Sequence, residues 1–235
     1  ISYDLWVKLS RLIEFVCKNW QKPDSGIWEV RGGNREFLYS RVMCWVAIDR
    51  AVRLSLKRGL PAPLDVWIQN RNAIYKSVFN DFWNEKKKAF VQFKGAKALD
   101  ASTLTMPLVR FISPKDPRWL STLQAIEKEL VHDSLVYRYN VGEAFSDCLD
   151  GQEGTFSICS FWFIESVSRS GNVQKARYLF EKMLGYANNL GLFSEQLGPR
   201  GEFLGNVPQA FTHLALISTA FDLDRRLSAS GKRYY

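Results

Sequence analysis

The sequence has few of the residues from which metal centres and nucleophilic triads are built. Its two histidines, His132 and His213, lie far apart and have no companions at metal-ligand spacing. None of its four cysteines forms a C-x-x-C pair, and three lie inside apolar helical segments (Cys17, Cys44 and Cys159). We therefore expect reduced cysteines in a reducing compartment, the cytoplasm, without a metal, a cofactor or a Ser-His-Asp triad.

The chain also lacks long apolar runs, Gly/Ser-rich linkers and low-complexity segments. No apolar run approaches the roughly 18–20 residues that a helix needs to span a bilayer, so we expect no membrane partner. With a net charge of +8 the chain could attract nucleic acid, but its basic residues are scattered among acidic ones. The one run of three, Lys86, Lys87 and Lys88, is more typical of a solvated turn than of a phosphate-binding patch. We expect no nucleic-acid partner, and one domain over residues 1–235.

Helical periodicity dominates what is present. Eight helices are predicted, over roughly residues 3–19, 36–58, 65–81, 100–111, 116–131, 155–170, 173–190 and from 208 onwards. Their ends carry the expected signals: Gly59 is placed to cap the second helix, Asp100 to open the fourth, and Asp116 followed by Pro117 to open the fifth. Extended pieces at 89–93 and 135–139 could form a hairpin arm at most. The predicted fold class is all-α.

Short and long connections alternate between these helices. The long ones cover residues 20–35, 82–99, 132–154 and 191–207. Long loops in a compact domain are usually functional. If the helices alternate in direction around a ring, the four long loops gather at one end, and we expect that end to carry the functional site.

Two glutamates lie in these loops in unusual settings. Glu29 occurs in GIWEVRG at positions 26–32, and Glu195 in GLFSEQ at positions 191–196. Two carboxylates delivered to one pocket are the minimum for hydrolysing a glycosidic bond, because one protonates the leaving oxygen and the other activates water. Judged by spacing alone, Glu29 is equally an exposed loop residue that caps the next helix. For Glu195 the same reasoning favours a helix-end carboxylate without a catalytic task.

Other residues in the long loops suit sugar recognition. Arg138 stands between Tyr137 and Tyr139 and offers a planar fork of donors among aromatic faces, although an ion pair with Glu143 or Asp147 beside packed tyrosines fits the chemistry about as well. Glu153 precedes the very apolar sixth helix, where it could contact substrate or simply favour the helix dipole. Trp28, in the same loop as Glu29, is a candidate sugar platform.

Seven segments, in order along nearly the whole chain, resemble glycoside hydrolase family 15, the glucoamylase-like family, in its prokaryotic branch. They are GIWEVRG (26–32), SRVMCWVAIDRAV (40–52), RGLPA (58–62), LDASTLTMPLVRFISPKDPR (99–118), YRY (137–139), EGTFSICSFW (153–162), and GLFSEQ with LGNVPQAFTHLALI (191–196 and 204–217). The resemblance implies an (α/α)6 barrel and inverting, exo-acting hydrolysis that releases glucose from an α-glucan or α-glucoside. Trehalase activity and a non-catalytic carbohydrate-binding or regulatory role are the alternatives within the same family.

The resemblance also assigns roles to individual residues. By family position, Glu29 would be the general acid and Glu195 the general base. The substrate-binding residues would be Trp28, Arg31, Tyr137, Arg138, Glu153 and Gln196. A full barrel has twelve helices and eight are predicted here, so the remaining helices are expected in a preceding part of the same protein or in another chain. Without them, apolar helix faces would be exposed and the chain would self-associate.

Overall fold

The computed structural model describes residues 1–30, 32–139 and 153–231, which fold as a mainly helical chain. Within these ranges there are eight α-helices: α1 (Tyr3–Asn19), α2 (Leu38–Arg58), α3 (Leu64–Asp81), α4 (Thr105–Leu108), α5 (Pro117–Leu130), α6 (Ser157–Arg169), α7 (Val173–Leu184) and α8 (Ala210–Gly231). None of these helices is long and apolar enough to cross a membrane. The chain divides into two compact units.

Seven strands of two residues each accompany the helices. They are β1 (Trp83–Asn84), β2 (Ala89–Phe90), β3 (Val131–His132), β4 (Leu135–Val136), β5 (Thr155–Phe156), β6 (Gln196–Leu197) and β7 (Phe203–Leu204). Two lie inside the segments predicted to be extended, at 89–93 and 135–139. β3 and β4 pair as a short antiparallel hairpin, so the hairpin arm that the sequence allowed is present.

The first unit contains residues 1–84 and 91–97 and is built on α1, α2 and α3. Trp6 of α1 and Trp67 of α3 meet edge to face with ring centroids 5.8 Å apart. The Trp6 indole N–H donates to the carbonyl oxygen of Pro61 at 2.9 Å, so the buried ring keeps a polar partner. Gly59 adopts the left-handed conformation at the end of α2, as predicted.

The second unit contains residues 85–90, 98–139 and 153–231 of the described chain. Its central element is α6, which packs against α4, α7 and α8. Almost every side chain of α6 is buried, including Phe161 and Phe163. The prediction that this apolar helix is covered on more than one side is therefore confirmed.

Two helix predictions were inaccurate in length. The segment over 100–111 forms a 3-10 turn at Ala101–Leu104 and then the short α4, and Arg110 with φ 62° follows in the left-handed region. α7 ends at Leu184 instead of residue 190. Beyond that end, the Asn188 side-chain oxygen accepts the N–H groups of Leu190 and Leu192 at 2.9 Å. This side-chain bonding offers the backbone an alternative to the helix.

A three-stranded antiparallel sheet of β5, β6 and β7 was not predicted. β6 lies in the middle, with Phe156 opposite Gln196 and Gln196 opposite Leu204. Strands of two residues carry no alternation that a sequence could display. Gly154 is required beside this sheet, because a Cβ there would stand 2.7 Å from the Leu197 carbonyl oxygen. The sheet joins the loop before α6 to the loop before α8.

The interface between α6 and α8 contains a buried ionic network. Asp222 of α8 accepts from Arg226 and from the Ser168 hydroxyl, both at 2.7 Å. Glu165 of α6 pairs with Arg169, which also approaches Asp222 at 3.7 Å. Burial raises the pKa of the Asp222 carboxyl, but the hydrogen bonds from Arg226 and Ser168 outweigh it, so its pKa lies below the usual value. The network therefore stabilises the fold with Asp222 ionised.

We predict that Asp222→Asn lowers the free energy of unfolding by on the order of 2 kcal/mol at neutral pH. Because the folded-state pKa is depressed, this contribution is present above the unfolded-state pKa, about 3.9, and is lost as the pH falls through the folded-state value. Urea unfolding of the whole protein at a series of pH values measures it. Asp224→Asn, an exposed carboxyl on the same helix, is the control. Equal effects of the two variants at neutral pH would contradict the prediction.

Candidate active site

The loop that carries Glu29 lies in the first unit and closes on itself before α2. Asp24 and Arg35 exchange two backbone hydrogen bonds, of 3.0 and 2.8 Å, and Asp24 Oδ1 accepts the N–H of Gly26 at 3.0 Å. Gly26 has φ 68°, and a Cβ there would stand 3.0 Å from the Phe37 ring. Glycine is therefore needed where the loop folds against this ring.

Glu29 is exposed at the tip of this loop and has φ 51°, in the left-handed region. Such a conformation costs a non-glycine residue on the order of 1–3 kcal/mol, and it is found preferentially at functional sites. The next residue, Val30, is buried and donates its N–H to Ser25 O at 3.1 Å, which fixes the turn. α2 begins after Phe37 without a side-chain capping bond, so the alternative in which Glu29 caps that helix is wrong. Trp28, beside it, is half-buried.

Glu195 lies in the second unit, directly before β6, and is held at one carboxylate oxygen. Its Oε2 accepts two hydrogen bonds from Asn206, from the backbone N–H at 3.0 Å and from the side-chain amide at 2.8 Å. The Glu195 N–H in turn donates to Asn206 O at 2.9 Å. Among the described residues, none donates a hydrogen bond to Oε1. The carboxylate is thus fixed in position and keeps one oxygen available as an acceptor.

Gly205 allows this close approach. It has φ 71°, and a Cβ at this position would stand 2.7 Å from Glu195 Oε2. Only glycine adopts this conformation without strain and leaves room for the carboxylate. The alternative of a helix-end carboxylate for Glu195 is wrong, because its loop and strand partners lie well outside α7 and α8.

The loop that carries Glu195 is also contacted by the first turn of α8 and by Gln209, the residue directly before this helix. His213 Nε2 accepts the Phe193 N–H at 3.3 Å, while Nδ1 lies 2.7 Å from Gln209 O. The two ring nitrogens of His213 thus contact both the loop and the residue that precedes α8. The Thr212 hydroxyl lies 3.4 Å from Ser194 O. Sequence reasoning had singled out none of these anchors, although the segment LGNVPQAFTHL lies within the recognised resemblance.

Arg138 and Glu153, predicted to bind sugar hydroxyls, form an ion pair with each other. Glu143 and Asp147, the alternative partners considered for Arg138, lie outside the described residues. The Arg138 guanidinium lies over the Phe156 ring at 4.3 Å and over the Tyr139 ring at 5.1 Å from the centroids. Arg138 is almost fully buried and Glu153 is half-buried. The pair is therefore a rigid, aromatic-lined group that offers donors and acceptors side by side.

Cys159 of α6 is buried and interacts electrostatically with both members of this pair. Burial raises the pKa of the Cys159 thiol well above its usual value; the carboxylates of Asp100 and Glu153 raise it further, and the Arg138 guanidinium opposes them. The raised pKa favours the neutral thiol over the nucleophilic thiolate. Cys17 and Cys44 are also free, and Cys148 lies outside the described residues. Within the described ranges, no cluster of His, Cys, Asp or Glu is arranged to hold a metal ion.

The predicted site residues thus fall into two groups. In the second unit, β5 pairs with β6, and this pairing brings Gln196 opposite Phe156, the residue under Arg138. Tyr137 is more exposed than its neighbour Arg138. In the first unit, Trp28 and Glu29 share the tip of one loop, and Arg31 lies outside the described residues. The convergence of Glu29 and Glu195, and of the four long loops, stays a prediction.

The described chain is thus a helical fold that carries Glu29 and Glu195 on two loops. A sequence model of the glycosyl hydrolases family 15 matches residues 1–221, and the chain belongs to this family. It is 44% identical over 226 residues to a trehalase of Mycobacterium tuberculosis, covering 96% of this chain and 33% of that protein. With a trehalase of Thermoplasma volcanium it shares 38% identity over 225 residues, 95% of this chain and 36% of that protein.

Solved structures show the same fold. A bacterial glucoamylase complexed with acarbose matches 94% of this chain and 38% of its own, with a TM-score of 0.79 at 16% identity. The match to a wild-type glycosidase covers 90% of this chain and 58% of that chain, with a TM-score of 0.73 at 19% identity. The predicted class, an (α/α)6 barrel, is confirmed by this likeness. The chain spans about a third of the length of the curated relatives it matches.

Under the catalytic role proposed for Glu195 below, we predict that Gly205→Ala lowers glycoside hydrolysis by the whole protein by about 10- to 100-fold, because its methyl group displaces the Glu195 carboxylate. Gly201→Ala is a matched control: Gly201 has φ 80°, and its Cβ would meet the Tyr186 ring at an ordinary 3.4 Å. Both variants carry the same backbone penalty. Steady-state rates, corrected for the amount of folded protein, measure the difference. Equal activity of the two variants would contradict the prediction.

Proposed function

We propose that the whole protein is an inverting trehalase in which this chain supplies the acid, Glu29, and the base, Glu195. The observation that carries the proposal is the anchoring of Glu195, whose Oε2 is fixed by Asn206 while Oε1 is available to take a proton from water. Both carboxylates that the chemistry needs are present, which argues against a non-catalytic role. The relatives named above are trehalases, so trehalose is a better-supported substrate than the α-glucan expected from the sequence.

The reaction follows from these roles. Glu29 donates a proton to the oxygen that joins the two glucose units, and the bond from that oxygen to one anomeric carbon breaks. Glu195 removes a proton from a water that attacks the same carbon from the opposite face. Inverting enzymes keep roughly 6.5–9.5 Å between the two carboxyl groups to accommodate this water. α,α-Trehalose then yields one β-glucose from the attacked unit and one α-glucose from the leaving unit.

The Arg138–Glu153 pair supplies sugar recognition in this proposal. A planar guanidinium held over Phe156 is a rigid donor to neighbouring hydroxyls, and Glu153 is an acceptor beside it. Gln196, which follows Glu195 in the chain, orients the attacking water in this proposal. Burial of Arg138 limits the number of positions that the guanidinium can take, and this favours one sugar orientation over others.

In this proposal, further chain of the whole protein covers the apolar faces left open here. On α8, Phe211, Leu214 and Phe221 are 68%, 64% and 73% exposed. On α1, Leu12 and Phe15 are 60% and 64% exposed. Soluble proteins rarely leave contiguous patches of large apolar side chains open to water. Additional helices of the same family fold are the natural cover.

Two substrates distinguish the acid from the base. Glu29→Gln should lower kcat on trehalose by about 10²–10⁴-fold and leave α-glucosyl fluoride turnover nearly intact, because fluoride departs with little protonation. Glu195→Gln should lower turnover of both substrates, since both need an activated water. Glu14→Gln and Glu181→Gln, at exposed positions on α1 and α7, serve as controls.

Proton NMR during the first turnovers of trehalose tests inversion. Equal amounts of α- and β-glucose are expected, whereas a retaining enzyme would give only α-glucose at first. Unchanged trehalose turnover in Glu29→Gln would contradict the role of Glu29 as the general acid. Exclusive formation of α-glucose in the first turnovers would contradict an inverting mechanism.

The chain of residues 1–235 produced alone should self-associate at micromolar concentration through its open apolar faces. Phe211→Gln with Phe221→Gln should shift its sedimentation toward the monomer. Leu56→Gln, an isolated exposed residue of α2 at 64% exposure, should leave the distribution unchanged. A monomeric parent chain would show that these faces need no cover.

A further inference from the structure

The position of Glu29 depends on how the ends of its loop are held. The loop leaves α1 at Trp20, the C-cap of that helix, and reaches α2 after Glu36. Between these ends Glu29 is exposed and in a left-handed conformation, in a turn shaped by the loop's own hydrogen bonds, such as that from Val30 N–H to Ser25 O. These bonds set the shape of the turn, whereas the placement of the whole loop depends on where its two ends are anchored.

One side chain, Arg41 of α2, contacts both ends. Its guanidinium carbon lies 4.7 Å from the centroid of the Trp20 ring. Its Nη2 donates to Glu36 Oε2 at 2.5 Å, and its Nη1 donates to the Ser77 hydroxyl at 3.2 Å. Phe82 lies on the guanidinium as well, at 5.6 Å. The first two contacts join the beginning of the loop to its end through a single group.

The burial of this group makes the connection stiff. Arg41 is 4% exposed, so its charge is screened little by solvent and its rotamer is fixed by packing. Trp20 is held independently, because its indole N–H donates to Asn70 Oδ1 at 3.1 Å. On the other side, Glu36 is also approached by Lys94 at 3.7 Å. The loop ends are thus tied to α3 and to the segment at 91–97, with Arg41 between them.

We infer that Arg41 is a positioning residue that orients Glu29 as the general acid by holding Trp20 and Glu36 together. The inference rests on the proposed function of Glu29. Arginine is needed because its planar guanidinium can stack on Trp20 and donate to Glu36 at the same time. A lysine ammonium is a point charge that cannot do both.

The test compares Arg41→Lys and Glu36→Gln with the parent in the whole protein, using trehalose and α-glucosyl fluoride. Arg41→Lys should lower kcat on trehalose by about 10- to 100-fold with KM within about twofold. Its turnover of α-glucosyl fluoride, which needs little acid assistance, should stay within about threefold of the parent. Glu36→Gln, which weakens the same connection from the loop side, should show the same selectivity at smaller amplitude. Arg53→Lys, an exposed ion-paired arginine of the same helix, is the control and should change neither rate.

Each outcome decides the inference. A selective loss on trehalose in folded Arg41→Lys supports it. Equal losses on both substrates would show a merely structural role and overturn it, as would unchanged rates on both. Glu29→Gln is measured alongside: if that variant lacks the selectivity for trehalose, the proposed function itself fails and takes this inference with it. If Glu29→Gln loses activity selectively on trehalose and Arg41→Lys does not, only the positioning role of Arg41 is overturned.

Discussion

The proposed chemistry requires Glu195 to have one immobile oxygen and one accessible oxygen, and its contacts with Asn206 meet that requirement. Two N–H groups of one residue converge on Oε2, while the backbone of Glu195 donates back to Asn206. The arrangement is possible only because Gly205, in a left-handed conformation, leaves no Cβ in the way. A carboxylate held in this manner loses little freedom when it binds water, which is the advantage of preorganisation in catalysis.

Both glutamates are supported by helices that follow their loops. His213 and Thr212 of α8 contact the backbone of residues 193 and 194, and Arg41 of α2 contacts both ends of the Glu29 loop. In each case the helix adds its support to the hydrogen bonds that the loop makes within itself. Functional side chains placed on loops commonly depend on such support from regular elements.

Helices were the most predictable part of the fold, because their signals are local. Asp116 caps α5 and Gly59 ends α2, as their positions in the sequence indicated. The end of α7 was misjudged because an Asn188 side chain competes for the backbone. The sheet of β5, β6 and β7 was missed, since its pairings connect residues about 40 positions apart through strands too short to show a period. Arg138 and Glu153 were both singled out, but that they pair with each other could not be read from their spacing.

The sequence by itself determined most of the helices and the family, because periodicity, capping residues and local motifs are written in neighbouring positions. It also predicted Glu29 and Glu195 as site residues, each in a loop beside aromatic or glycine residues. Tertiary structure alone decided that Asn206 holds one oxygen of Glu195, that His213 contacts Phe193 and Gln209, and that Arg41 joins Trp20 to Glu36. These contacts join residues brought together by chain folding, and no local pattern specifies which donor will meet which acceptor.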